Sequence, residues 1–230
     1  MKRKRKIYKK PLTVVFCIPG GPFSHNFLKC WTALHGFCIE NNIRPILINP
    51  QSSVVYYARN LCLGGDVRRG INQKPFDGKI DYDYLMWIDS DMVFTVKDFA
   101  TLLNMNKPIA SGIYKMQDDK NYATVENMDD DYYIENGSYE FLNEENIKDM
   151  PDIFEVDYTG FGWILFKKGI FESLEYPWFS PEWKEFDKET NMKEFTSEDV
   201  GICSKLKDKG YKITVNKNLK IGHEKSWILI

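Results

Sequence analysis

The sequence has no long apolar run and no large excess of charge of either sign. Its first strongly apolar segment, LTVVFCI at residues 12–18, is far shorter than the ~20 residues that cross a bilayer as a helix. The formal net charge of the 230-residue chain is -2, which argues against a protein whose whole surface binds nucleic acid. We therefore expect no transmembrane segment and no nucleic-acid partner.

Cysteine is sparse and shows no motif spacing. The chain has 5 cysteines, none of them in a C-x-x-C pair, which argues against a disulfide framework and against a thiolate metal site. No export signal precedes the first apolar segment. These features predict reduced thiols and a cytoplasmic location.

The one concentration of like charge is the beginning of the chain, MKRKRKIYKK. Blocks of like charge are usually solvated, so residues 1–11 are predicted to form a disordered basic tail. Weak peripheral contact with an anionic membrane, contact with an acidic partner and a nuclear signal are the alternatives.

Apolar β-branched runs alternate with amphipathic segments across the first half of the chain. This alternation implies βαβ units and a mainly parallel sheet with both faces covered. We predict an α/β, Rossmann-like fold whose nucleotide-binding half spans residues 12–115. Strands are predicted at 12–18, 44–50, 82–89 and 107–114, and helices at 25–42, 54–63 and 96–105.

The pattern changes after residue 115. Residues 116–150 are acidic and turn-rich, which predicts an irregular or small antiparallel insert. The aspartate run at 129–131 is predicted to be a solvated loop, because it lacks the spacing of a cation site. Apolar strands, a capped helix and a final strand follow. With no repeat and no linker, we expect residues 12–230 to form one domain in two halves, 12–115 and 116–230.

Two aspartates follow the third predicted strand in YLMWIDSDMVF, where Ser90 separates Asp89 from Asp91. Ligands of open α/β sheets bind beyond the carboxyl ends of the strands. Alternation in extended backbone would place both carboxylates on one side, where they repel each other unless something compensates them. We predict a divalent cation there, with a diphosphate as a further ligand. The alternative is that Asp89 caps the next helix and Asp91 is solvated.

Two features of the first half support this prediction. The loop at Pro19 and Gly20 ends the first strand, where backbone can approach a ligand closely; ordinary turn chemistry also explains it. Arg59 and Asn60 lie on the second predicted helix, where an arginine can face a phosphate or a base. The alternative for Arg59 is an ordinary surface position.

Two features of the second half support it as well. Glu198 and Asp199 begin a late helix, where acids are favoured in any case and where a carboxylate can also serve as a general base. His223 follows the last predicted strand. It is a candidate Mn²⁺ ligand, with a structural histidine as the alternative.

The order of these motifs resembles the GT-A glycosyltransferases, which use nucleotide-sugars and whose hallmark is a D-x-D motif after a hydrophobic strand. The resemblance covers residues 12–225 and is closest to small family-2-like enzymes, including those of large DNA viruses that decorate capsid proteins. It implies a GT-A fold with an acceptor and catalytic half at residues 116–230, a UDP-sugar as the favoured donor and Mn²⁺ (or Mg²⁺) as cofactor. If the protein is viral, the predicted cytoplasmic location is the host cytoplasm. The implied acceptor is a glycan, a glycoprotein or another hydroxyl compound.

The resemblance also implies roles for individual residues. Asp199 is the general base of an inverting transfer, beside Glu198, and Trp163 stacks on a sugar. The chain lacks the Q-x-x-R-W motif of processive synthases, which implies one sugar per encounter. The implied donor-binding residues are Pro19, Gly20, Arg59, Asn60, Asp89, Ser90, Gly162 and Trp163, and the implied metal ligands are Asp91, His223 and Asp89.

Three other functions are alternatives. A haloacid-dehalogenase-like phosphatase also has a strand followed by D-x-D, with Asp89 as nucleophile and Asp91 as acid and base; its motif normally follows the first strand of the chain. A nucleotidyltransferase would want a basic residue in the loop after strand one, which IPGGPFSHNF lacks. A non-enzymatic sugar-binding module would bind sugar without a metal.

Overall fold

A computed structural model describes residues 10–225 of the protein. The basic tail predicted at residues 1–11 lies almost wholly outside these residues. The described chain forms a seven-stranded mixed sheet with helices on both faces, consistent with a Rossmann-like fold. No helix between residues 10 and 225 is long and apolar enough to cross a membrane.

The elements follow in chain order. The strands are β1 (Leu12–Cys17), β2 (Ile43–Ile48), β3 (Tyr84–Ile88), β4 (Met92–Val93), β5 (Ile109–Ile113), β6 (Thr124–Val125), β7 (Ile153–Val156), β8 (Tyr158–Thr159), β9 (Trp163–Lys167), β10 (Trp183–Asp187), β11 (Met192–Phe195), β12 (Ile213–Lys220) and β13 (Gly222–His223). The α-helices are α1 (His25–Glu40), α2 (Val55–Cys62), α3 (Val96–Met105), α4 (Asp130–Asn136), α5 (Glu144–Lys148) and α6 (Glu198–Asp208).

The central sheet has the strand order β2-β1-β3-β9-β5-β12-β7. Five of these strands run in one direction, and β9 and β7 run antiparallel to their neighbours. The prediction of a mainly parallel sheet is confirmed. The sequence did not predict that β9, from the second half of the chain, would lie between β3 and β5, because a fully buried apolar strand looks the same in either direction.

Both faces of the sheet are covered, and β1 shows why. Its side chains alternate between two apolar cores: Val15 and Cys17 face one, and Val14 and Phe16 face the other, as expected for extended backbone. Apolar residues of α1 and α3 fill the second core, and those of α2 and α6 fill the first. The nucleotide-binding and catalytic halves predicted from sequence therefore share one sheet and both cores.

Helix boundaries agree well with the sequence where side chains cap them. Ser24 caps α1 by accepting the Phe27 N–H, and Ser197 caps α6 by accepting the Val200 N–H. Residues 129–131 do not form the predicted loop, because Asp129 caps α4, but Asp129 and Asp131 are solvent-exposed as predicted. Helices α4 and α5 were not predicted, since each has too few residues to show a helical period.

Two glycines of the TGFGW segment pack against Tyr114. The Gly162 N–H donates to the Tyr114 hydroxyl at 3.1 Å, and a Cβ on Gly160 would overlap that hydroxyl. A Cβ on Gly162 would lie 2.9 Å from the Tyr114 ring. These glycines therefore allow a close approach between β9 and the tyrosine that follows β5.

We expect Gly160→Ala to lower the free energy of unfolding by about 1–3 kcal/mol, because the added methyl overpacks a buried contact. Urea denaturation measures this change. The matched control is Gly36→Ala on the exposed side of α1, where a Cβ meets nothing within 4 Å. This control should gain about 0.5–1 kcal/mol from helix propensity. A Gly160→Ala protein as stable as the wild type would contradict the expectation.

Candidate functional site

A cavity of the described chain lies where ligands of α/β sheets bind, beyond the carboxyl ends of β1 and β3. Its volume is about 750 Å³. The loop after β1, the segment leading into α2, the D-x-D segment and the residues after β13 all border it. The lining residues are Pro19, Gly20, Gly21, Pro22, Phe23, Ser24, Ser52, Ser53, Val55, Ala58, Asp89, Ser90, Asp91, Glu224 and Lys225.

The D-x-D segment is a tight turn. The Met92 N–H donates to the Asp89 carbonyl at 3.1 Å, so the expectation of extended backbone with both carboxylates on one side is wrong. The two side chains have different partners: Asp89 pairs with Arg59, and Asp91 pairs with His223 and Lys225. Both carboxylates still line the cavity.

Arg59 is buried, with 2% of its side chain exposed. Its Nη2 donates to Asp89 Oδ2 at 3.1 Å, and its Nε donates to Glu198 Oε1 at 3.3 Å. The same Nε lies 3.6 Å from Asp199 Oδ1. Arg59 thus joins the end of β3 to the start of α6, the two segments in which the sequence predicted site residues.

Aromatic rings surround the Arg59 guanidinium. Its central carbon lies 5.9 Å from the ring centroid of Trp87, 5.6 Å from that of Phe161 and 5.8 Å from that of Phe179. Cations are attracted to aromatic faces at such distances. The rings also exclude water, so the carboxylates that reach the guanidinium do so in a low-dielectric environment.

This cluster raises two pKa values, which keeps the arginine charged but makes the aspartate harder to ionise. Burial alone would lower the Arg59 pKa, but Asp89, Asp199 and Glu198 outweigh it and raise that pKa. Burial raises the pKa of Asp199 to about 7, assisted by Glu198 and Asp89 and opposed by Arg59. Arg59 therefore stays charged, and Asp199 exchanges a proton near neutral pH.

The two oxygens of Asp199 differ. Oδ2 accepts the Phe161 N–H at 3.5 Å, whereas Oδ1 is buried and receives no hydrogen bond within the described residues. Oδ1 is therefore the oxygen with free capacity to accept a proton.

Asp91 and His223 meet because β4 pairs with β13. His223 is aligned with Met92, next to the D-x-D turn. Its Nε2 lies 3.1 Å from Asp91 Oδ2, and Lys225 Nζ donates to the same oxygen at 2.8 Å. Burial alone would raise the pKa of Asp91, but these two contacts lower it to about 2.

The orientation of the His223 ring suits a metal ion beside Asp91. Its Nδ1 lies 2.6 Å from the Lys115 carbonyl oxygen, which can only accept, so Nδ1 carries the proton. Nε2 faces Asp91 Oδ2, so a proton on Nε2 joins these two groups when no ion lies between them. A metal-binding histidine has this arrangement, in which one ring nitrogen donates to a carbonyl and the other faces the ion.

The residues present fit a divalent metal as a partial ligand set. Asp91 and His223 would provide two ligands, since their 3.1 Å separation is close to the ~3 Å between adjacent ligands of an octahedral ion with bonds of about 2.1 Å. Residues 10–225 contain no group of three or more His, Cys, Asp or Glu side chains that could hold a metal. Any remaining ligands would therefore come from water or a diphosphate. Asp89, also predicted as a ligand, is paired with Arg59 instead.

Two predicted donor-binding residues of α2 have structural roles. Arg59 does not line the cavity, because it is buried among its carboxylates and aromatic rings. The Asn60 amide donates to the Tyr56 and Phe179 carbonyls at 2.8 and 2.6 Å, and its oxygen accepts the Phe179 N–H at 3.3 Å. Asn60 therefore fixes α2 to the segment at Phe179 and has no polar atom left to bind a nucleotide-sugar.

The predictions for Gly162 and Trp163 are also corrected. Trp163 has no exposed surface and packs with its ring centroid 4.7 Å from that of Phe94, so it cannot stack on a sugar. Gly162 is buried, and its carbonyl accepts the Asp89 N–H at 3.1 Å. It positions the D-x-D main chain and does not line the cavity. Pro19, Gly20 and Ser90 do line it, as predicted.

Lys225 is the residue that the sequence interpretation missed. It lines the cavity and holds Asp91. The segment KIGHEK places Lys225 two residues after His223, so the sequence showed a basic residue next to the predicted metal ligand. Phe23, Ser52 and Ser53 also line the cavity, and no motif marked them.

Comparison with solved structures finds chains of similar fold. The crystal structure of A197 from STIV matches with a TM-score of 0.56 and 19% sequence identity, covering 94% of this chain and 86% of that chain. At this identity the likeness concerns the fold alone. No protein-family model and no curated protein matches the sequence.

We expect Arg59→Met to lower the free energy of unfolding by about 3–5 kcal/mol near neutral pH, because it leaves buried carboxylates without a cation. The loss should be larger near pH 8 than near pH 5, since the unpaired carboxylates can take up protons in acid. Denaturant titrations at both pH values measure it. Arg68→Met, at an arginine that is 86% exposed and also paired with an aspartate, should change little. A loss in Arg59→Met that did not depend on pH would contradict the charge argument.

Proposed function

We propose that the protein is a metal-dependent GT-A glycosyltransferase. In this proposal it moves one sugar from a nucleotide-diphosphate sugar, with a UDP-sugar favoured, to an acceptor hydroxyl with inversion. The observation that carries the proposal is the Arg59 cluster. It holds the first D-x-D aspartate and the Glu198–Asp199 pair together beside a cavity that also contains Asp91.

The cavity suits a nucleotide diphosphate. Pro19 and Gly20 present backbone and Phe23 presents a ring, which suits a nucleoside. Asp91 and His223 would hold Mn²⁺ or Mg²⁺. When bound, such an ion supplies positive charge that neutralises the diphosphate as a leaving group.

Lys225 adds a second positive charge at the same place. Its ammonium group now neutralises Asp91. A cation on that carboxylate would free Lys225 to bind a phosphate oxygen of the donor, since both the lysine and the aspartate line the cavity.

Asp199 provides the general base. Its carboxylate, of which 17% is exposed, takes the proton of the acceptor hydroxyl, and the acceptor oxygen forms a bond to the anomeric carbon. The bond from that carbon to the diphosphate breaks, and its electron pair stays on the diphosphate oxygen. A pKa of about 7 suits this role, because a base works best when its pKa is near the working pH.

The geometry favours the transferase over the phosphatase alternative. A phosphatase of that type would need Asp91 to donate a proton to the leaving group. Contacts with His223 and Lys225 lower the pKa of Asp91 to about 2, so it carries no proton near neutral pH. Asp89, the required nucleophile, is paired with Arg59.

The proposal is tested by titrating UDP, GDP and a panel of nucleotide-sugars into the protein by calorimetry, first with Mn²⁺ and then with EDTA. We expect one nucleotide to bind in a metal-dependent manner and Asp91→Ala to weaken that binding about 10- to 100-fold.

The matched control is Asp81→Ala. Asp81 is also held by two cations, Lys10 and Lys168, but does not line the cavity. This variant should bind as the wild type does. No nucleotide binding under any condition would refute the transferase.

Once a donor is known, the pH dependence of transfer tests the base. We expect kcat/KM to rise with pH through about 7, because the deprotonated carboxylate is the active form. Asp199→Asn should lower kcat by about 10²- to 10⁴-fold with little change in nucleotide affinity, and its residual rate should lose this rise.

Glu198→Gln is the comparison variant, because Glu198 also pairs with Arg59. It should keep the rise with pH. If the rise of kcat/KM with pH disappeared in Glu198→Gln and persisted in Asp199→Asn, the general base would be Glu198 and not Asp199.

A further inference from the structure

The hairpin formed by β10 and β11 carries an exposed pair of aromatic rings. Trp183 and Phe195 are opposite each other in the antiparallel register, with ring centroids 4.7 Å apart in an edge-to-face arrangement. They are 59% and 63% exposed. Trp183 is the one exposed tryptophan among those that residues 10–225 contain.

The pair is not needed to attach the hairpin, because the opposite face does so. Phe186 stacks on Tyr133 with ring centroids 4.0 Å apart. Lys184 donates to Asp130 at 2.6 Å and to the Tyr139 hydroxyl at 2.9 Å. Large apolar rings that stay in water on an attached hairpin indicate a binding surface.

The hairpin leads directly to the proposed base. The Thr196 N–H donates to the Glu182 carbonyl at 2.9 Å and closes the hairpin, and Ser197 then caps α6. Phe195 precedes Asp199 by four residues, so their Cα atoms are at most ~14 Å apart. One extended molecule can therefore contact the aromatic pair and place a hydroxyl at Asp199.

A cavity of about 430 Å³ beside the pair shows what kind of molecule fits. Its lysines are already neutralised, Lys184 by Asp130 and Lys207 by Asp157. Glu182 and Glu185 are paired likewise, with Lys205 at 3.4 Å and Lys193 at 3.0 Å, so the charges around the cavity are largely balanced and favour a neutral ligand. The carboxylates and hydroxyls of the lining accept hydrogen bonds. The lining residues are Met128, Asp130, Glu182, Trp183, Lys184, Glu185, Thr196, Ser204, Lys207 and Asp208.

We propose that the Trp183–Phe195 pair and this cavity form an acceptor subsite for a neutral sugar ring, so that the acceptor is a carbohydrate chain. The C–H face of a pyranose would stack on Trp183, and its hydroxyls would donate to Glu182 and Glu185. This inference rests on the proposed transferase function, and it names the acceptor class that function leaves open.

The test measures the binding of neutral disaccharides, which needs no donor. The probes are maltose, cellobiose, lactose, mannobiose, chitobiose and xylobiose, titrated at millimolar concentration and followed by tryptophan fluorescence and calorimetry. We expect at least one to bind and Trp183→Ala to weaken it about tenfold. Trp183→Phe should retain most of the affinity, because a ring remains. Tyr57→Ala, at a ring that is 56% exposed on another element, should bind as the wild type does.

The outcomes separate this inference from the transferase proposal. Both proposals are supported if Trp183→Ala loses disaccharide binding but keeps metal-dependent nucleotide binding unchanged. Nucleotide binding with no disaccharide bound, or with equal disaccharide binding in Trp183→Ala, overturns the subsite and leaves the transferase. An unglycosylated peptide that binds through Trp183 in place of the sugars also overturns it, because the pair is then a protein-docking surface.

Discussion

The buried charge of Arg59 is the interaction on which the rest of the site depends. Three carboxylates from two distant segments approach one guanidinium that three aromatic rings shield from water. Without that cation, the end of β3 and the start of α6 would repel each other, and neither segment could hold an ionised acid in the interior. One arginine cannot neutralise all three acids, and the excess negative charge contributes to the raised pKa of Asp199.

Asp91 with His223 and Lys225 forms a second cluster of charges, which is more exposed than the Arg59 cluster. Asp91 and Lys225 are 40% and 33% exposed, and the lysine contact can be replaced without leaving a buried charge unpaired. The Arg59 cluster is therefore fixed, whereas the Asp91 cluster can exchange its partners when an ion or an anion arrives. Under the proposed function, the fixed cluster would hold the geometry of the site and the exchangeable cluster would take up the charged donor.

Much of this site could be predicted from the sequence, because the residue types at strand ends and helix starts indicate where those elements end and begin. The burial pattern of β3, the capped start of α6 and the histidine after the last strand were readable, and the structure brings Asp91 and His223 within 3.1 Å. Other features were not readable because tertiary contacts decide them. Trp163 and Asn60 are of types suited to ligand binding, but the packing around them buries both. The turn at Asp89 depends on hydrogen bonds to its neighbours, which strand alternation does not reveal.

The position of β9 between β3 and β5 affects how the chain reaches its native state. Until residues 163–167 have been synthesised, β3 and β5 each lack the neighbour that lies between them, and their edges are open to wrong pairing. Residues 12–115, the nucleotide-binding half predicted from the sequence, cannot complete the central sheet on their own. Folding therefore waits for a late strand, a high-contact-order step that slows folding and exposes the nascent chain to aggregation. A fragment ending near residue 115 would retain the residues of the D-x-D motif but lose the strand that lies beside it.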